Sequence, residues 1–139
     1  MNGLFYDDEW LKLDAGSREK MEKYGWFVHF VPDDEDCPNS VNYHTHGVER
    51  SFGHPDLQIC FPLSRDIAHS ILSNIVDDIK AGSRFEPGKK YNEIIGGGLS
   101  VEFIHAMECG RKVLRIIFPD KNGNYEGAVF QDQFERTGL

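Results

Sequence analysis

A chain of 139 residues is long enough to bury one hydrophobic core, so we expect a single domain over residues 1–139. Its composition, 40% hydrophobic and 27% charged, is ordinary for a globular protein and argues against a disordered chain. The net charge of −8 argues against a nucleic-acid partner, because nucleic-acid binders present a clustered basic face to the phosphates.

The sequence also lacks the signs of a membrane or secreted protein. No apolar run approaches the roughly 18 residues of a membrane span. The N-terminus has neither the basic start nor the apolar middle of a signal peptide. The three cysteines form no Cys-x-x-Cys pair and no dense disulfide framework. We therefore expect a cytoplasmic protein that does not bind a membrane.

The first predicted elements are a short helix and a strand. Residues 17–24 form the helix, because Ser17 is a good N-cap and Gly25 is well suited to follow its last turn. Residues 26–31 are apolar at nearly every position, as in a strand covered on both faces. The acidic residues 32–40 are expected to form a loop.

A second strand is predicted over residues 41–46, where the side chains alternate. Tyr43 and Thr45 share one face of this strand, and the opposite face carries Asn42, His44 and His46. We expect residues 47–56 to form a loop and residues 57–61 to form a third strand.

The longest helix is predicted from its N-cap, Ser64, to Gly82, which ends it. Its apolar side chains recur at helical spacing and define one buried face, formed by Ile67, Ala68, Ile71, Leu72, Ile75, Val76 and Ile79. His69 falls on the opposite, solvent-facing side of this helix.

The C-terminal part is predicted to consist of hairpins. Residues 83–98 are loop-like, and strands at 99–107 and 112–118 form a hairpin. Asn122-Gly123 is a strong turn signal, so residues 125–130 are expected to pair with the second of these strands. The whole order predicts the α+β class, with a mainly antiparallel sheet of about five to six strands, one long helix and one short helix.

Three side chains with polar or reactive groups occupy positions in these apolar strands. His105 shares a strand face with Val101 and Phe103, so its ring is expected to point into the core. Arg115 alternates with apolar residues, and a buried arginine would need a carboxylate partner. Cys60 is expected to be buried and inert.

Several short motifs resemble those of one protein family. The segment Thr45-His46-Gly47-Val48, followed by Gly53-His54-Pro55-Asp56-Leu57, resembles the signature of the domain of unknown function 4262 family. Ile117-Phe118-Pro119-Asp120-x-x-Gly123 is similar to the C-terminal Pro-Asp-x-x-Gly element of that family, and Gly25-Trp26 fits its opening. The resemblance covers about residues 17–130. It implies a fold unit and a focus on one loop, without an established activity.

Residues 43–56 are the part of the chain best suited to chemistry, because His44, His46 and His54 fall within eleven residues. His44 also stands where the resembled family usually has a tyrosine. His44 and His46 are two apart on a strand and share a face, a common geometry for two ligands of one metal, with His54 or Asp56 as a third. The pattern predicts a divalent metal such as zinc as the candidate cofactor, with His44, His46 and His54 as its ligands.

Three interpretations of this stretch stay open. The first is a site for an unknown small ligand or protein partner, formed by Tyr43, His44, His46, His54 and Asp56. The second is an enzyme, either a metal-dependent, hydrolase-like one using His44, His46 and His54 or a metal-free one with a histidine as general base. The third is structural, with a histidine packed under the loop and bonded to a backbone carbonyl. No motif supplies a nucleophile, so the sequence leaves enzyme activity undecided.

Two acidic segments, Asp7-Asp8-Glu9 and Asp33-Asp34-Glu35-Asp36, supply seven of the 23 acidic residues. The simplest interpretation is that both are solvated loops. The alternative is a surface for a basic partner, with the aromatic residues Phe5, Tyr6 and Trp10 beside the first segment. Aromatic residues usually serve burial, which favours packing of this segment against the domain.

Overall fold

The computed structural model of the protein describes residues 15–31, 42–108 and 110–135. Its elements in chain order are α1 (Ala15–Tyr24), β1 (Phe27–Val31), β2 (Asn42–His46), α2 (Val48–Phe52), β3 (Leu57–Ile59), α3 (Arg65–Lys80), β4 (Lys90–Tyr91), β5 (Val101–Glu108), β6 (Arg111–Ile117) and α4 (Ala128–Glu135). The acidic segments at 7–9 and 33–36, with the aromatic residues near the first, lie outside the described residues. Among the helices of the described ranges, none is long and apolar enough to cross a membrane.

The six strands form one sheet in the order β1-β2-β3-β6-β5-β4. Four of the five pairings are antiparallel. The pairing of β3 with β6 is parallel, which is possible because α3 lies in the long connection between these strands. The structure confirms the α+β class, with a mixed rather than purely antiparallel sheet.

Helix α3 covers one face of the sheet. Ser64 is its N-cap as predicted, since the Ile67 N–H donates to the Ser64 Oγ at 3.3 Å. The predicted apolar stripe is buried through Ala68, Leu72, Ile75, Val76 and Ile79. These side chains belong to one core cluster with apolar residues of the sheet, including Tyr43, Leu57, Ile59, Phe103, Leu114 and Ile116. His69 lies on the exposed side of the helix, as expected.

The β5–β6 hairpin is confirmed, but the predicted burial of His105 is wrong. Val101 and Phe103 are buried in the core, whereas His105 and Met107 on the same strand face are exposed. The core therefore covers only the first half of β5. Cys60 is buried, as predicted.

The segment expected to form the last strand is helical instead. Asn122-Gly123 does lie in a turn, but α4 begins at Ala128. The Asp120 carboxylate accepts hydrogen bonds from the N–H groups of Asn122 and Asn124, both at 2.9 Å, and holds the chain in a compact turn. The predicted pairing of residues 125–130 with β6 is wrong, because β6 is already paired on both sides, with β3 and with β5.

Two further elements lie inside segments that were expected to be loops. The short helix α2 occupies residues 48–52, and the two-residue strand β4 pairs with β5 at the edge of the sheet. Both are short, with little room for a periodic pattern that would reveal them in the sequence.

Much of the sheet face opposite α3 is also buried, and it carries many polar side chains. The side chains buried on this face or against it include Asn42, His44, Gln58, Glu108, Arg115 and Gln133. Gln133 of α4 bonds the backbone of Phe118 twice, since its Oε1 accepts from the Phe118 N–H at 2.8 Å and its Nε2 donates to the Phe118 O at 2.7 Å. Arg115 donates from Nη1 to the Gln133 carbonyl at 2.9 Å. We call these buried side chains the polar layer.

Candidate functional site

Three histidines come together at the β1–β2 end of the polar face. In the antiparallel register of these strands, His29 lies opposite His44, and His46 follows on the same face of β2. Each ring offers one nitrogen such that the three atoms all lie within 4.8 Å of one another. His29 is exposed, His44 is buried and His46 is half-buried, so the cluster reaches from the polar layer to the surface.

A buried carboxylate lies beside this cluster. Glu108 Oε2 is 3.5 Å from His44 Nε2, which is also 3.1 Å from His29 Nδ1. Glu108 Oε1 is held by the Arg111 Nε–H at 2.7 Å. Nitrogen ligands of a tetrahedral zinc ion lie about 3.3–3.4 Å apart. The His29–His44 pair is already near this spacing, and the three-histidine group, with its 4.8 Å limit, would contract around an ion.

The two histidines of β2 are kept neutral. Burial lowers the pKa of His44 to about 2, and the neighbouring His46, Arg111 and His29 act in the same direction. Burial likewise lowers the pKa of His46 to about 3, with Arg111 and His29 adding to the effect. Because His44 is neutral, its contact with Glu108 is not an ion pair. Neutral imidazole is the form of histidine that ligates metals.

Two buried amide side chains, Asn42 and Gln58, connect His44 to Arg115 through hydrogen bonds. Asn42 Oδ1 lies 3.2 Å from His44 Nδ1 and accepts a hydrogen bond from Gln58 Nε2 at 3.1 Å. Gln58 Oε1 in turn accepts from the Arg115 Nε–H at 2.8 Å. Arg115 is buried, and its guanidinium donates to an amide oxygen and to the Gln133 carbonyl, where a carboxylate was expected from the sequence.

Asp56 holds the loop that follows the histidines. Its Oδ1 accepts from Thr45 Oγ1 at 2.6 Å and from the Val48 N–H at 2.9 Å, and its Oδ2 lies 3.2 Å from Arg111 Nη1. Burial raises the pKa of the Asp56 carboxyl, while Arg111 and these hydrogen bonds act in the opposite direction. The carboxylate thus links the end of β2 to the start of α2.

His54 and Tyr43 bond the protein itself. The His54 Nδ1–H donates to the Pro55 carbonyl at 2.8 Å, and His54 Nε2 accepts from the Phe85 N–H at 3.1 Å. Tyr43 lies on the α3-covered face of β2, where its hydroxyl donates to the Leu63 carbonyl at 2.6 Å.

Of the residues that the sequence pointed to, the structure brings His44 and His46 together. It places Tyr43, His54 and Asp56 outside the group of potential ligand atoms found among the described residues. The sequence did not point to His29 or Glu108. His29 lies in a strand whose other residues are apolar. Glu108 is the last residue of β5, one position beyond the predicted end of that strand. The only signal for His29 would have been the β1–β2 register, which residue spacing does not reveal.

Comparisons with known proteins identify the family. No curated protein and no solved structure matches the chain. The family described as domain of unknown function (DUF4262) matches residues 20–128, which is most of the chain and includes all of the residues in the histidine cluster. The resemblance inferred from the short motifs is thereby confirmed. The chain belongs to the DUF4262 family.

Proposed function

We propose that this protein binds a divalent transition metal ion of the zinc class through His29, His44 and His46. The observation that carries the proposal is the convergence of three imidazoles from two paired strands, with potential ligand atoms within 4.8 Å of one another. Imidazole nitrogen suits zinc, copper, iron and nickel, whereas magnesium and calcium prefer oxygen ligands.

The neutral state of the β2 histidines suits metal ligation, and the Glu108 carboxylate offsets part of the repulsion between a cation and the Arg111 guanidinium. His44 and His46 are neutral, and the Glu108 carboxylate is 3.5 Å from His44 Nε2. A metal ion would gain nitrogen ligands without displacing bound protons from the two β2 histidines. Three histidine ligands also leave a fourth position for water or a substrate, as in catalytic rather than structural zinc sites.

The experiment is a calorimetric titration of metal-free protein with zinc, nickel and manganese. We expect one-to-one binding of zinc that is lost in the double variant His44→Ala/His46→Ala and in His29→Ala. The matched control is His105→Ala, which removes an exposed histidine outside the cluster and should bind zinc like the wild type. Absence of zinc binding to the wild-type protein, or equal binding by His29→Ala, would contradict the proposal.

A metal-dependent hydrolase-like activity is the second candidate, and Glu108 is the observation that favours it. Arg111 fixes one oxygen of this buried carboxylate, and the other is directed toward the histidine cluster. In that position Glu108 would accept a proton from a water held at the fourth metal position. A Glu108→Gln variant that binds zinc normally but loses hydrolysis of an activated ester would support this role. Unchanged hydrolysis in that variant would exclude it.

For an organic ligand or protein partner at residues 43–56, fewer of the candidate residues offer a free polar group. Tyr43, His54 and Asp56 use their polar groups in internal hydrogen bonds, which supports structural roles for all three. We propose instead that a ligand approaches the exposed side of the cluster, at His29 and His46, and binds by coordinating the metal ion.

A further inference from the structure

A continuous row of buried polar side chains crosses three strands of the sheet and ends at His44. In the sheet register, Gln58 of β3 lies between His44 of β2 and Arg115 of β6. The row runs from Arg115 Nε to Gln58 Oε1 at 2.8 Å, from Gln58 Nε2 to Asn42 Oδ1 at 3.1 Å, and from there to His44 Nδ1 at 3.2 Å. All four side chains are at most 3% exposed.

The charged end of the row fixes the orientation of Gln58. A guanidinium group has only donors and does not lose its proton in proteins. The atom of Gln58 that faces Arg115 must therefore be the oxygen, because the amide nitrogen would place two donors against each other. It follows that the Gln58 NH₂ group faces Asn42.

The orientation of Gln58 in turn fixes the orientation of Asn42 and the tautomer of His44. Because Gln58 offers a donor, the Asn42 atom that it meets must be the oxygen, and this oxygen also lies 3.2 Å from His44 Nδ1. An amide oxygen can only accept, so His44 Nδ1 must carry the proton. Neutral imidazole has one N–H, which leaves Nε2 with an unshared electron pair. His29 Nδ1, at 3.1 Å, is the donor that this pair meets, and Glu108 Oε2 lies farther away at 3.5 Å.

From this chain of orientations we infer that Asn42 and Gln58, anchored on Arg115, set the tautomer of His44 so that its Nε2 is a ready metal ligand. They are positioning residues for the metal site, and this role rests on the proposed function. The tautomer itself does not, because it follows from the protein's hydrogen bonds. Metal-ligating histidines characteristically donate their other N–H to an oxygen acceptor, which fixes the ring and raises its basicity.

The row also determines which histidine must change its tautomer when a metal ion binds. In the metal-free protein the His29 Nδ1–H donates to His44 Nε2, at 3.1 Å. Binding of the ion through these two atoms requires the His29 proton to move from Nδ1 to Nε2 of the same ring, by exchange with solvent, whereas His44 keeps its proton on Nδ1. The rearrangement thus falls on an exposed ring rather than on one inside the polar layer.

Two isosteric substitutions that add the same charge should have opposite effects. In Asn42→Asp, the new carboxylate still accepts from Gln58 and His44, so the Nδ1–H tautomer is retained and zinc binds at least as tightly. In Gln58→Glu, the new carboxylate accepts from Arg115 but offers no donor to Asn42. The Asn42 amide then turns its NH₂ group toward the carboxylate and toward His44 Nδ1, which becomes an acceptor. His44 Nε2 acquires the proton, and zinc affinity falls roughly 10- to 100-fold.

The measurement is long-range ¹H–¹⁵N correlation of the histidine side chains in metal-free protein at pH 8, with His44 assigned by its loss in His44→Ala. We expect the Nδ1–H form in the wild type and in Asn42→Asp, and the Nε2–H form in Gln58→Glu. An Nε2–H form in the wild type, or an unchanged tautomer in folded Gln58→Glu, would overturn the inference. If Gln58→Glu does not fold, the wild-type tautomer decides alone.

Zinc titration of the same samples separates this inference from the proposed function. A wild-type Nδ1–H tautomer without zinc binding would leave the row intact and refute the metal site. Zinc binding by the wild type with equal affinity in Gln58→Glu, despite a reversed tautomer, would refute the positioning role of the row while the metal site stands.

Discussion

His29 and His44 lie opposite each other on the paired strands β1 and β2, and His29 Nδ1 is 3.1 Å from His44 Nε2. One of these rings is exposed and the other is buried. The pair therefore joins a surface side chain to the buried polar layer of the sheet. This contact completes the three-histidine cluster and underlies the proposed metal site.

The first prediction concerns stabilisation by zinc. A ligand that binds only the folded state at 100 times its Kd stabilises that state by about 2.7 kcal/mol. We expect such zinc to raise the Tm of the wild type by several degrees and to leave the Tm of His29→Ala unchanged. Without zinc, the variant should be less stable than the wild type by about 0.5–1.5 kcal/mol, because it loses the hydrogen bond to His44 Nε2. Differential scanning calorimetry with and without zinc measures both effects, and an equal zinc response in His29→Ala would count against the site.

The second prediction concerns Gly47, which joins β2 to α2. Its φ is +97°, and a Cβ at this position would meet the Gly25 carbonyl oxygen and the Met21 side chain. We expect Gly47→Ala to combine backbone strain with a steric clash and to destabilise the protein by roughly 3 kcal/mol or more.

Gly53 is the matched control for this substitution. Its φ is also positive, at +72°, but a Cβ there meets nothing within 4 Å. Gly53→Ala should therefore lose only about 1–2 kcal/mol, through backbone strain alone. Urea unfolding of both variants separates backbone strain from the steric clash. Equal losses in the free energy of unfolding would mean that Gly25 and Met21 leave room for a Cβ at Gly47.

The third prediction concerns Asp56, which joins β2, α2 and Arg111. Asp56→Asn replaces one carboxylate oxygen by a donor and removes the charge that faces Arg111. The new NH₂ group would face Arg111 Nη1, which is also a donor. A buried polar group left unpaired costs about 1–3 kcal/mol, so we expect the free energy of unfolding to fall by this amount. The exposed Asp77→Asn should change it by less than about 0.5 kcal/mol. Similar values for the two variants would refute the structural role of Asp56.

The fourth prediction is a pH dependence that originates in His54. Burial lowers its pKa in the folded state and Arg84 acts in the same direction, whereas the Pro55 and Phe85 backbone and Asp56 partly oppose the shift. The unfolded chain takes up a proton at His54 near pH 6.5, before the folded protein does. The contribution of His54 to stability is therefore complete above pH 6.5 and is lost as the pH falls below it.

Urea unfolding of the wild type and His54→Gln, measured at intervals from pH 7.5 to 5, tests this prediction. The substitution should make the decline in stability below about pH 6.5 shallower, by up to about 1.4 kcal/mol per pH unit. Parallel curves for the two proteins would show that the folded and unfolded states protonate His54 alike.

Parts of the fold were predictable because their signals are local. The helical spacing of apolar residues and the N-cap Ser64 identify α3 within the chain itself. Residues 122–123 also mark a turn, but a local turn signal does not determine the element that follows. The Asp120 carboxylate accepts local hydrogen bonds that close the turn. The helix that follows is held by the bonds of Gln133 to the Phe118 backbone, which are tertiary contacts.

In the candidate site too, some residues could be predicted from local spacing and others could not. Alternation along β2 was enough to place His44 and His46 on one face, because side chains of a strand point alternately to opposite sides. The choice of the third histidine was not determined locally. His54 is closer in sequence to His46 than His29 is, but its ring nitrogens bond Pro55 and Phe85.

The sequence by itself determined the class of the fold, the long helix, the family and the two histidines of β2. Only the tertiary structure decided that His29 completes the cluster, that Glu108 lies beside it and that Arg115 is connected to His44 through two amides. The physical reason is that neighbours across a sheet are set by strand order and register. These depend on how the whole core packs, whereas spacing along the chain fixes only which side chains share a face.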